Sequence, residues 1–141
     1  MKIAIGCDHA GVELKEAIKR YLSETFHAEM TDVGTDGAAS VDYPVYGKKV
    51  GKLVASEAVD SGIVICGTGI GISMAANKVK GVRAALCYDA YTAIMSRKHN
   101  NANVLCIPSR FVSFQLAEGM LKTFLGTAFE GGRHEKRVEK I

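Results

Sequence analysis

The sequence predicts an α/β fold, a doubly wound layer of helices around five parallel strands. Short β-branched runs alternate with amphipathic segments from end to end, and the third run breaks directly into a glycine-rich loop ahead of a helical segment. At 141 residues and 48% apolar composition, the chain has the size of one domain, 1–141, with a sizeable core.

The first run, Ile3 to Gly6, is strand-like, and Leu14, Ile18, Tyr21 and Leu22 then recur at helical spacing. Met30 to Val33 reads as the second strand, and Gly34 to Pro44 as a long loop, of the kind that often carries function. Tyr46, Val50, Leu53 and Val54 mark the second helix. Gly62 to Cys66 is a buried strand, followed by a helix over Ile70–Lys78. Val82 to Cys87, a helix over Asp89–His99 and a strand from Asn103 to Ile107 continue the alternation, and Leu116, Met120, Leu121 and Phe124 give the next helix. A basic terminal helix is expected over about 133–141.

Composition narrows the function classes. The formal charge of +3 is mild, and lysine and arginine are spread along the chain apart from a C-terminal cluster, so nucleic-acid binding has no footprint. Cys7, Cys66, Cys87 and Cys106 lie far apart, which speaks against disulfides and zinc. With no long apolar stretch or leader-like start, the expectation is a soluble, cytoplasmic protein without membrane partners.

In doubly wound folds ligands sit beyond the carboxyl ends of the strands. There the sequence places Cys66-Gly-Thr-Gly-Ile-Gly71, whose glycine amides and following helix start favour an anion. The dinucleotide fingerprint is poorly matched, since Ile72 stands where its last glycine belongs. The Gly-Lys-Ser/Thr phosphate loop is absent, and a cysteine phosphatase would need arginine at position 72. Cys66 is left as a thiol whose setting favours the thiolate, able to accept a proton. A tight strand-to-helix turn is the plainer reading of the same residues.

Three further groups attract attention. Asp8 and His9 end the first strand, where Asp8 equally suits a helix cap. His99 and Asn100 close a basic helix end, which the helix dipole alone would favour. Arg133 and Arg137, four apart, would share a helical face with two guanidinium forks suited to phosphate, with Arg110 as a third; a solvated basic terminus is the alternative.

Together, Gly6-Cys-Asp-His9, Asp42-Tyr-Pro44, Cys66 to Ser73, Ala75-Ala-Asn-Lys78, Ser96 to Asn100 and Gly131 to Val138 resemble type B ribose-5-phosphate isomerase, over essentially the whole chain. The resemblance implies a Rossmann-like αβα sandwich assembled as a homodimer or dimer of dimers with shared sites, acting on a sugar phosphate with no cofactor or metal. It implies Cys66 as the base that moves a proton between two carbons, Thr68 and the amides of Gly67, Gly69, Ile70 and Gly71 as the enediolate cradle, and His99 as the ring-opening acid. Asp8, His9, Tyr43 and Asn100 would bind substrate, while Arg110, Arg133 and Arg137 hold its phosphate. The partner subunit would supply His99 and some of these basic groups. The family's other branch carries a glutamate base at the position of Ile72, leaving Cys66 as the base here. Pro108 stands where glycine is expected, and its fixed φ and missing N–H bear on the local placement of Arg110. Isomerisation of a six-carbon allose or galactose 6-phosphate is the close alternative; a flavodoxin-like module binding a phosphate ligand without catalysis is the distant one.

Overall fold

The computed structural model describes residues 1–141. In chain order it contains β1 (Lys2–Cys7), a 3-10 turn (His9–Gly11), α1 (Val12–Phe26), β2 (Glu29–Asp32), α2 (Tyr43–Ala55), β3 (Ser61–Cys66), α3 (Ile70–Asn77), β4 (Ala84–Leu86), α4 (Ala90–Asn100), β5 (Val104–Pro108), α5 (Phe114–Gly126) and α6 (Glu135–Val138). The five strands form one all-parallel sheet in the order β2-β1-β3-β5-β4.

Alternation along the central strands divides the core in two. Ile3, Ile5, Ile63, Ile65, Leu105 and Ile107 pack against Ile18 and Leu22 of α1, Ala93 of α4, and Met120, Leu121 and Phe124 of α5. Ala4, Val64, Cys66, Val104 and Cys106 face the other way, onto Val50 and Val54 of α2 and Ile72 and Ala76 of α3. Both faces of β1, β3 and β5 are therefore covered, as their continuous apolar sequences require. Each fully buried Ile or Leu contributes roughly 1.5–3 kcal/mol relative to exposure.

The strand order sets the site. The connection leaving β1 runs outward to β2 and that leaving β3 runs the other way to β4, so the two carboxyl ends, at Cys7 and Cys66, diverge into a crevice.

Three expected elements differ. The fourth strand keeps only Ala84–Leu86, because Arg83 is tied to the side chain and backbone of Asn103 before the ladder begins. The long loop ends at Asp42, and Pro44 sits in the first turn of α2, where its missing N–H costs nothing. The terminal helix shrinks to Glu135–Val138: Gly131 and Gly132 both take positive φ and turn the chain, leaving Arg133 in the turn. Arg133 and Arg137 thus do not share one helical face.

Candidate active site

Cys66 ends β3 and is 5% exposed, with its sulfur facing the loop that follows. The amide of Gly69 donates to Cys66 Sγ at 3.2 Å, and the Ile70 amide donates to Thr68 Oγ1 at 3.3 Å. These bonds occupy two of the expected cradle amides. The N–H groups of Gly67, Thr68 and Gly71 have no acceptor within the chain and remain as the cradle's donors. Gly69 makes the turn possible: its φ is +75°, and a Cβ there would overlap Leu86 Cδ1. Gly71 lets the Tyr43 ring lie directly against the start of α3, since a Cβ would come within 2.5 Å of that ring.

Asp8, His9, Ala10, Tyr43, Cys66, Gly67, Thr68, Ile70, Gly71, Met74 and Arg110 border one open crevice of about 510 Å³. Asp8 accepts from the Ala10 amide at 2.9 Å as the cap of the 3-10 turn and also lines the crevice. His9 Nδ1 accepts from the Val41 amide at 3.3 Å, which places the imidazole proton on Nε2.

Pro108 leaves Arg110 in place. Neighbouring strand residues point their amides to opposite sides, and Ser109 N donates to Cys66 O on the β3 side, so position 108 faces the β4 side. There β4 has already ended, its last pairing being Leu86 with Cys106, and no ladder bond is lost. The Arg110 amide bonds Gly67 O at 3.1 Å, and its guanidinium carbon would lie 3.2 Å from a Cβ on Gly67.

The remaining expected residues gather elsewhere. His99, Asn100, Arg133 and Arg137 do not border this crevice in their own chain. The His99 ring stacks on His134, and Glu130 reaches both, its Oε2 lying 4.0 Å from His99 Nε2 and 3.7 Å from His134 Nε2. Two imidazoles and a carboxylate could hold a metal ion. The surroundings favour an anion instead: Lys98 sits 3.1 Å from Glu130 and holds its carboxyl below the usual range, while Arg133 Nε approaches His134 Nε2 at 3.5 Å. Burial and the charges of His99 and Arg133 push the His134 imidazole below its ordinary pKa.

Of the four cysteines, Cys66 alone borders the crevice. Burial raises the Cys7 thiol to about 11, and it raises those of Cys87 and Cys106 as well. All three have at most 1% of their surface exposed. Sequence reasoning missed Met74, Glu130 and His134. Met74 follows Ile70 by one helical turn on the crevice side, a spacing that could have pointed to it.

Comparison with known proteins matches residues 3–141 to the family model described as Ribose/Galactose Isomerase. Ribose-5-phosphate isomerase B of Escherichia coli K12 is 49% identical over 140 residues, covering 99% of this chain and 93% of that protein. The structure of Clostridium thermocellum ribose-5-phosphate isomerase B superposes with a TM-score of 0.97 at 52% identity, covering 99% of this chain and 94% of the other. That of the Mycoplasma genitalium enzyme with bound ribulose 5-phosphate gives 0.94 at 45% identity, covering 99% and 92%.

Proposed function

The chain belongs to the ribose/galactose isomerase family, and from that premise we propose that it interconverts ribose 5-phosphate and ribulose 5-phosphate through an enediolate, with Cys66 as the base. The observation that carries this is that Cys66 lines the crevice with its Sγ hydrogen-bonded by the Gly69 amide, beside three unspent amides.

His99 delivers a proton to the furanose ring oxygen while the anomeric hydroxyl gives its own to solvent water, and the C1–ring oxygen bond breaks to leave the open aldehyde. Cys66 then takes the C2 proton of the open aldose. The resulting enediolate is met by the amides of Gly67, Thr68 and Gly71 and by the Thr68 hydroxyl. The hydroxyl proton on O2 passes to O1, C1 receives the proton from Cys66, and a carbonyl is left at C2. General acid-base transfer of this kind contributes about 10²–10⁴-fold.

The site is completed by a second copy of the chain. Arg110 meets the phosphate from within the crevice, while His99, Asn100, Arg133 and Arg137 lie outside it and arrive from the partner in a homodimer. Exposed Ile70, Met74, Tyr88, Tyr91 and Phe111 give the apolar surface such an interface needs. No helix is long and apolar enough to cross a membrane.

A coupled assay comparing ribose 5-phosphate with allose 6-phosphate and galactose 6-phosphate tests the reading. The largest kcat/KM is expected with ribose 5-phosphate; no ketose from any of the three would remove the assignment.

A further inference from the structure

Lys15 has no part in the chemistry above, yet its side chain is fully buried. On the amphipathic α1 a lysine would ordinarily face water, so something must hold this ammonium inside. Its Nζ lies 2.9 Å from Asp32 Oδ2 and 3.0 Å from both Asp36 Oδ1 and the Thr35 carbonyl. Burial alone would lower its pKa, but the hydrogen bonds it donates to Asp32 and Asp36 outweigh that and hold it above the ordinary lysine range. The group is therefore a fixed positive charge.

The ammonium ties down one end of the loop between β2 and α2. Gly34 closes over the lysine stem: a Cβ there would stand 3.1 Å from Lys15 Cδ and 2.8 Å from the Cys7 amide nitrogen. Thr35 N donates to Cys7 O at 3.2 Å, and Val33 N to Ile5 O at 2.9 Å. Residues 37–40 are exposed, and after them the Val41 amide hydrogen-bonds His9 Nδ1. Tyr43, two residues later, also borders the crevice.

We propose that Lys15 is a positioning residue of the active site. Its buried ammonium latches the 33–41 loop so that the Val41 amide holds His9 as the Nε2–H tautomer, a hydrogen-bond donor at the substrate crevice. Without the latch, the Val41 donor drifts, His9 samples both tautomers, and the crevice loses a preset donor.

What His9 donates to rests on the sugar-phosphate reading; the tautomer does not, so it is measured on the full-length protein without substrate. Nitrogen-15 NMR of labelled histidine is expected to show His9 with Nδ1 unprotonated and Nε2 protonated. In Lys15→Met this pattern moves toward a tautomer mixture, Val41 amide exchange accelerates roughly tenfold, and kcat/KM falls about threefold to tenfold, as for one lost neutral hydrogen bond. Asp36→Ala, which removes a solvent-facing arm of the latch and leaves the core intact, moves the same readings less far in the same direction. A protonated Nδ1 in the unmutated protein overturns the proposal. So does an unchanged His9 pattern in folded Lys15→Met or, where that variant does not fold, in Asp36→Ala.

Discussion

The His99 ring lies face to face on His134, with centroids 4.3 Å apart and planes 9° from parallel, and neither ring borders the crevice that holds Cys66 in the same chain. In the dimer proposed above, His99 held on the surface of its own chain serves the Cys66 of the other copy. A two-fold dimer meets that need twice over, because its two sites are identical.

Complementation follows from this arrangement. Cys66→Ala and His99→Asn are each expected to be inactive, but unfolding and refolding an equal mixture should restore activity in about a quarter of the sites. Half of the dimers would be mixed, each with one intact site of two. Recovery near zero, with mixed dimers shown by mass spectrometry, would place His99 and Cys66 of one site on the same chain.

Labelling should single out one thiol. Cys7, Cys87 and Cys106 are buried with raised pKa values, whereas Cys66 opens onto the crevice. Iodoacetamide at neutral pH is expected to modify Cys66 alone, with loss of activity tracking incorporation and with protection by ribulose 5-phosphate. Peptide mapping that finds faster modification of another cysteine would contradict this.

The ion pairs around Lys15 give the fold a pH signature. Burial alone would raise the Asp32 carboxyl, but hydrogen bonds from Lys19 and Lys15 prevail and hold it below its ordinary value. A depressed carboxylate adds stability above its unfolded pKa of about 3.9 and loses it as pH falls through the still lower folded value. Asp32→Asn is therefore expected to be less stable by about 1 kcal/mol at pH 7, a modest figure because the carboxylate is partly open to water. In urea titrations the gap to the unmutated protein should persist down to about pH 4 and close below it. A gap that stays constant to pH 2 would assign the loss to something other than the charge.

The sequence makes the strand ends legible because their signals are local. A β-branched run ending in Cys66 and three alternating glycines locates the loop, and Asp8 and His9 locate the other lip of the crevice. The Glu130 cluster was hidden, since His99 and His134 meet only through tertiary packing across 35 positions of chain. Lys15 was hidden for a related reason: three and seven positions before Ile18 and Leu22 it lies on the buried face of α1, but only the folded chain shows Asp32, Thr35 and Asp36 arriving there to hold its charge. At the C-terminus the Gly131-Gly132 pair was visible, but the spacing of Arg133 and Arg137 suggested a longer helix than the two positive-φ glycines permit.

The central claim is that Cys66 removes the proton. The most direct test is solvent-deuterium exchange at C1 of ribulose 5-phosphate, which reports that step without ring opening, in Cys66→Ala beside calorimetric binding of the same sugar phosphate. Exchange is expected to fall by more than about 10²-fold while the dissociation constant changes only slightly. Exchange at near the unmutated rate would show that another group is the base.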